Sequence, residues 1–212
     1  MDTASARGTS PSLEVFFDCS SPWTYLAFEN LQPLAAEFQV EIDWRPILVG
    51  GVFNTVNPSV YESRAAPVPA KARYMLKDLQ DWARLAGLKI KMPPSVFPVN
   101  SVKAMRACLV LAPEGRVVPF ARAVFQAYWS EDEDISQDDV LAAICQRVGV
   151  DGPDVLARAA GAEVKAALKA NTDELIARGG FGSPTMFVNG GDMYFGNDRL
   201  ELLRAAFVRV RN

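Results

Sequence analysis

Apolar positions first crowd into one short run, Leu13 to Asp18, rich in aromatic and β-branched residues and of a length that suits a buried strand. The period then changes. Ser21-Pro22 joins a favoured helix cap to the residue preferred at the first helical position. Tyr25, Leu26, Phe28, Leu31 and Leu34 follow at helical spacing. Val40, Ile42 and Trp44 alternate with charged neighbours, so a second strand should end near Arg45-Pro46. Strand, helix and strand in so short a span make a βαβ unit, whose crossover should be right-handed.

Leu48 to Pro69 carries Gly50-Gly51, Asn54, Asn57-Pro58 and Pro67-Val68-Pro69 and reads as a loop. From Ala70 the pattern is helical. Tyr74, Leu76, Leu79, Trp82, Leu85 and Ala86 make one apolar stripe, stopped at Gly87. Prolines between Lys91 and Pro98 forbid a continuous helix there. Helices are expected at Ser101 to Leu111, Val117 to Trp129, Ser136 to Val148, Pro153 to Ala160 and Ala162 to Arg178. Ser136-Gln137-Asp138-Asp139 resembles a cap leading into an acidic first turn. Thr185 to Val188 and Met193 to Phe195 form a hairpin across Asn189-Gly190-Gly191-Asp192, and a terminal helix starts at Asp198. This order fits an α/β, thioredoxin-like domain with an inserted all-helical domain. The expected divisions are a disordered tail at 1–12, the first part of the thioredoxin-like domain at 13–69, the helical insertion at 70–161 and the second part at 162–212.

Composition narrows the function. At 212 residues, half of them hydrophobic and 22% charged, the chain is typical of a globular protein. A net charge of -3 without a basic stripe argues against nucleic acid. No apolar run suits a membrane span, and the polar N-terminus lacks the apolar segment of a secretory signal, so no membrane association and a cytoplasmic location are expected. There is no histidine, which removes Ser-His-Asp and Cys-His catalysis and histidine-containing metal sites; no metal is expected. Cys19, Cys108 and Cys145 show no Cys-x-x-Cys spacing and read as reduced thiols. Cys108 and Cys145 fall in apolar helical patterns, and Cys19 at a buried strand end.

Three segments could carry chemistry. Ser21 stands where a strand ends and a helix begins. Unpaired backbone N–H groups and the helix dipole stabilise an anion there, with donors beginning at Trp23 and Thr24 because Pro22 has no N–H. The simpler reading is that Ser21-Pro22 only caps a helix. Ser183-Pro184 leads into a strand. It could be an ordinary loop proline, or a cis proline whose preceding residue pairs with an incoming peptide as an added strand. Asp198, with Glu201, could form a variant capping box or accept hydrogen bonds from a ligand ammonium; one residue can do both. A Cys-x-x-Cys-like turn that holds serine where the attacking cysteine would sit suggests a thiol that arrives on a ligand.

Phe17-Asp18-Cys19-Ser20-Ser21-Pro22-Trp23-Thr24-Tyr25-Leu26, Pro69-Ala70-Lys71-Ala72-Arg73-Tyr74, Phe97-Pro98-Val99-Asn100-Ser101, Phe181-Gly182-Ser183-Pro184-Thr185 and Phe195-Gly196-Asn197-Asp198-Arg199 occur in the order found in one group. Together they resemble the 2-hydroxychromene-2-carboxylate isomerases, which belong with the kappa-class glutathione transferases on a DsbA-like thioredoxin fold. The resemblance implies glutathione as cofactor. It implies Ser21 beside the glutathione sulfur, Ser183 before cis-Pro184 holding the cysteinyl backbone, and Asp198 with Asn197 at the γ-glutamyl end. Lys71 would stand near the glycyl carboxylate, with Asn57 or Asn54 also in contact. The electrophile would lie near Trp23, Phe53, Trp82, Phe97 and Asn100. The implied activity is glutathione-dependent isomerisation of 2-hydroxychromene-2-carboxylate or a similar aromatic-catabolism intermediate, by reversible thiolate addition, ring opening and bond rotation. A kappa-type transferase is the nearest alternative. A DsbA-like oxidoreductase and a non-catalytic glutathione-binding module stand further off. A small aromatic substrate and a homodimer are the implied partners.

Overall fold

The first strand, β1 (Leu13–Phe17), is buried on both faces: Leu13, Val15 and Phe17 join the main core, and Phe16 joins a smaller cluster with Ile47, Val52, Leu175 and Phe187. A strand covered on both sides needs helices on both sides. The computed structural model describes residues 11–211. Of the expected tail, residues 1–10 lie outside the described residues; the Ser12 N–H donates to Asn189 Oδ1 at 2.9 Å.

Helix α1 (Pro22–Glu37) leads into β2 (Ile42–Pro46), parallel to β1 with Leu13 beside Ile42 and Phe17 beside Pro46. Among the described residues the further helices are α2 (Val49–Val56), α3 (Ser59–Ala65), α4 (Pro69–Leu85), α5 (Val102–Leu111), α6 (Val117–Phe125), α7 (Asp138–Arg147), α8 (Gly152–Ala159) and α9 (Ala162–Ala177), all between β2 and the hairpin, and α10 (Leu200–Arg211) after it. The hairpin strands are β3 (Thr185–Val188) and β4 (Asp192–Phe195). Both pairings of β3 are antiparallel, and the sheet order is β2-β1-β3-β4. This is a DsbA-like thioredoxin fold, a mixed sheet among many helices.

The helices between β2 and β3 are fastened to the sheet at one point that matters for the site. Trp129, fully buried, donates its Nε1–H to the Cys19 carbonyl at 2.9 Å. Tyr25 of α1 stacks on Phe125 of α6 at 5.1 Å between centroids, and Phe28 lies 5.2 Å from the same ring. Aromatic pairs at such distances add about 1 kcal/mol each beyond burial. They hold the end of β1 and the start of α1 still.

Several elements differ from the sequence expectation. The stretch from Leu48 to Pro69 is mostly helical rather than a loop. The first free N–H of α2, on Val49, is taken by Asp18 Oδ2 at 2.9 Å, a cap from 31 residues away. Gly51 lets α2 approach α9, since a side chain there would begin 3.4 Å from Thr172. The apolar stripe assigned to α4 is largely at the surface: only Leu79 and Ala83 are buried, while Tyr74 and Leu85 are 64% and 79% exposed. The helix from Val117 ends at Phe125 and widens into a π turn over Gln126–Ser130. Ser136 is not a cap; its N–H bonds to Asp134, and α7 begins at Asp138 with the acidic first turn in place. The last helix is preceded by a 3₁₀ turn, Asn197–Arg199.

Candidate functional site

Ser21 is the cap of α1: its Oγ accepts from the Thr24 N–H at 3.2 Å. Pro22 follows at the first helical position, so the entry angle of the helix is fixed by both residues. The Ser21 hydroxyl also donates, to the Ser183 carbonyl at 3.2 Å, across 162 residues of chain. This places the two sequence motifs in direct contact. The Ser183–Pro184 peptide is cis. Ser183 Oγ shares a 2.8 Å hydrogen bond with Thr24 Oγ1 and accepts from the Asp18 N–H at 3.1 Å. Among the described residues neither the Ser183 N–H nor the Trp23 N–H has a hydrogen-bond partner. Two unpaired backbone donors therefore lie near the start of α1, beside the Ser21 hydroxyl, and a helix start with free N–H groups favours an anion.

Beside this point lies a cavity of about 250 Å³, lined by Trp23, Asp78, Trp82, Ser183, Pro184, Phe195, Gly196, Asn197 and Asp198. Its walls carry two carboxylates, two indoles and no basic side chain. Asn197 is 2% exposed; its Oδ1 accepts from Asn30 at 3.0 Å, and its Nδ2 is buried without a partner. A buried amide donor left unpaired beside a polar cavity is costly, and a ligand that reached it would remove that cost. Asp198 pairs with Arg199 and accepts no backbone N–H at the helix entry, so the capping box open to it with Glu201 does not form. Gly196, at φ 98°, brings the turn close enough that a side chain there would begin 2.8 Å from Asp198 Oδ1.

The remaining candidates fall outside the cavity lining. Asn57 ends α2, and its Nδ2 donates to the Phe181 carbonyl at 3.1 Å, bracing the segment that leads to Ser183. Asn54 is exposed. Lys71 is exposed in the first turn of α4. Asn100 is exposed, and its Oδ1 accepts from the Val102 N–H at 3.1 Å. Phe97 is 37% exposed beneath the Arg64 guanidinium. Asp78 is the residue that sequence reasoning missed. It sits seven residues after Lys71 on α4, on nearly the same face and about 10 Å further along the axis. An extended tripeptide is about 10 Å long, so one helix offers a cation and an anion at matching separation.

Asp18 underlies the whole junction. Its carboxyl is fully buried and accepts from the Ser20 and Val49 N–H groups, both at 2.9 Å. Burial pushes its pKa above the ordinary carboxylate range, against the lowering effect of those bonds and of the Ser101 hydroxyl. Because the folded pKa lies above the unfolded one, the folded protein binds more protons between the two values. Stability contributed by Asp18 therefore falls as pH rises through that window and is level above it. Asp18→Asn should remove this slope in denaturation free energies measured from about pH 4 to neutrality; parallel profiles for both proteins would refute it.

The cysteines stay out of this chemistry. Burial, with the Cys108 thiol adjoining, holds the Cys19 thiol well above its usual range, and burial pushes Cys145 up to about 11. All three are free and buried. Among the described residues no cluster of acidic and cysteine side chains could hold a metal ion, and no helix is long and apolar enough to cross a membrane.

Comparison with known proteins bears on the family and the fold. The family model for the DSBA-like thioredoxin domain matches residues 12–208. Glutathione S-transferase kappa 1 of Rattus norvegicus is 28% identical over 204 residues, spanning 90% of this chain and 88% of that protein. The 2-hydroxychromene-2-carboxylate isomerase of Pseudomonas putida is 29% identical over 203 residues, spanning 93% and 95%. A solved structure of a 2-hydroxychromene-2-carboxylate isomerase superposes with a TM-score of 0.79 at 26% identity, covering 94% of this chain and 95% of that one.

Proposed function

The chain belongs to the DSBA-like thioredoxin domain family, and from that premise we propose that it is a glutathione-dependent isomerase of 2-hydroxychromene-2-carboxylate or a closely similar aromatic intermediate. The observation that carries this reading is the Ser21–Ser183 contact at the head of α1, beside a cavity walled by acids and an unpartnered amide. Those residues fit glutathione. Asp198 and Asp78 suit its ammonium, Asn197 Nδ2 its γ-glutamyl carboxylate, the Ser183 backbone its cysteinyl unit and Lys71 its glycyl carboxylate. Glutathione supplies a thiolate that adds to a conjugated bond and later leaves.

The protein's own task is to lower the pKa of that thiol and fix its position. Stabilising a thiolate enough to bring a thiol from about 8.5 to about 7 takes roughly 2 kcal/mol. The Trp23 N–H, the helix dipole and the Ser21 hydroxyl together match that demand. The Ser21 proton points at the Ser183 carbonyl. A peptide N–H docked on that carbonyl would replace the serine there and free its hydroxyl to donate to a thiolate. Trp23 and Trp82 line the neighbouring cavity with apolar surface, which lowers the local dielectric and strengthens each of these interactions.

A kappa-type transferase is the second reading, favoured by the comparable identity to the rat kappa protein. A thiol-disulfide oxidoreductase has less support, since Ser21 and Thr24 occupy the turn and the cysteines are buried. A paired assay distinguishes the first two: glutathione-dependent interconversion of hydroxychromene carboxylate, against net conjugation of a generic electrophile. Conjugation without isomerisation would replace the first reading by the second.

The free, buried thiols also suit a reducing compartment, and a cytoplasmic location is part of the proposal, to be checked by cell fractionation. So is a homodimer. Val68, Tyr74, Met75, Leu76 and Leu85 put an exposed apolar surface along α4, and α3 buries no residue within the chain. Sedimentation showing a monomer mass at micromolar concentration would remove the dimer.

A further inference from the structure

Arg64, in α3, holds its guanidinium between two phenyl rings, 5.8 Å from the Phe53 centroid and 5.5 Å from that of Phe97. Among the described residues it has no carboxylate within ion-pair distance and no hydrogen bond. Its charge is felt by the Tyr128 phenol, whose hydroxyl donates to the Val96 carbonyl at 2.9 Å beside Phe97. This cluster does not line the acidic cavity, yet it reaches the same junction from another flank. Phe53 Cε1 lies 3.8 Å from where a side chain on Gly182 would begin, and Gly182 precedes the Ser183 that bonds Ser21. The Phe97–Asn100 segment runs into Ser101, whose hydroxyl lowers the pKa of the buried Asp18.

We propose that Arg64, Phe53 and Phe97 form the acceptor subsite and select an aromatic carboxylate, its ring against the phenyl groups and its carboxylate on the guanidinium. The proposal rests on the thiol-activating reading of Ser21 and adds the determinant of the electrophile's charge. A guanidinium is weakly hydrated, stacks on aromatic faces and offers paired N–H donors that match a carboxylate. Two flanking rings hold it in place, each such contact being worth about 0.5–1 kcal/mol at an exposed site, and leave its donor edge unused. The two carboxylates whose charge also reaches Tyr128 are engaged elsewhere: Asp132 with Lys91 and Ser95, and Asp134 with Ser136 and Gln137. Aromatic planes with an unspent cation are complementary to an aromatic acid and indifferent to a neutral electrophile.

The test uses equilibrium binding of trans-cinnamate and its methyl ester to the full chain, with and without glutathione, followed by tryptophan fluorescence. The acid should bind at least ~10-fold more tightly than the ester, as expected for one charge-assisted pair. Arg64→Gln should erase that difference while leaving ester binding unchanged, and Arg64→Lys should restore part of it. Equal binding of acid and ester by the wild type, no binding of either, or parallel loss of both in Arg64→Gln would each overturn the proposal. Calorimetry of glutathione alone keeps the two readings separable. A protein that fails to bind glutathione but discriminates acid from ester loses the thiol reading and keeps this one; the reverse result does the opposite.

Discussion

Ser21→Ala should lower turnover at neutral pH by about 10²-fold, the usual loss when one donor to a developing or resident anion is removed. Glutathione affinity should change little, because the contacts assigned to its backbone and ends do not involve this hydroxyl. The bound thiol's pKa should rise by about one unit or more, read from thiolate ultraviolet absorbance. Ser21 also caps α1, so the same variant should lose about 1 kcal/mol of stability. Ser21→Asp separates the two roles. Its carboxylate keeps an acceptor for the Thr24 N–H and suits the helix dipole, but it repels a thiolate. It should keep the cap while losing the bond to the Ser183 carbonyl, and be less active than Ser21→Ala. If both variants keep the wild-type thiol pKa and rate, Ser21 is a cap alone.

The second large effect concerns the acidic wall. Asp198→Asn should weaken glutathione binding by roughly 10- to 100-fold, the range for losing a hydrogen bond to a charged group. Asp78→Asn should act in the same direction and more weakly, since Asp78 reaches the cavity from α4 without contacts that fix it. If both acids serve one ammonium, the double variant should cost less than the sum of the singles, which titration calorimetry can measure. Additive losses would mean two separate subsites. A fall in stability with unchanged affinity would reduce Asp198 to a helix-entry residue.

What was legible in the chain was local. The burial of Leu13 to Asp18, the Ser21-Pro22 cap and the β3–β4 hairpin each follow from neighbours within a few positions. The pairing of Ser21 with Ser183 could be anticipated because both motifs punctuate strands that this fold sets side by side. The helices α2 and α3 could not, because α2 is capped by Asp18 and seated by Gly51 against Thr172, and nothing in residues 48–69 announces either partner. Asp78 was hidden for the same reason in reverse. In a helix whose apolar residues are mostly exposed, a stripe does not single out the site, and the usable signals were the spacing from Lys71 and the place of Asp78 four residues before Trp82. The family resemblance named Asp198 and Asn197; the structure adds that Asn197 has an amide with nothing to bind.

The 3.2 Å bond from Ser21 to the Ser183 carbonyl bears finally on which thiols the protein would answer to. A hydroxyl already committed to a carbonyl is a poor partner for a sulfur that arrives by itself. Only a thiol borne on a peptide carries the N–H that competes for that carbonyl, so activation and recognition are one event. Selection among thiols of equal acidity then depends on their backbone. Mixing the protein with 2-mercaptoethanol should leave the thiolate fraction unchanged, while glutathione at the same pH should show a rise. A rise with both would mean that the serine is free to serve any sulfur that reaches it.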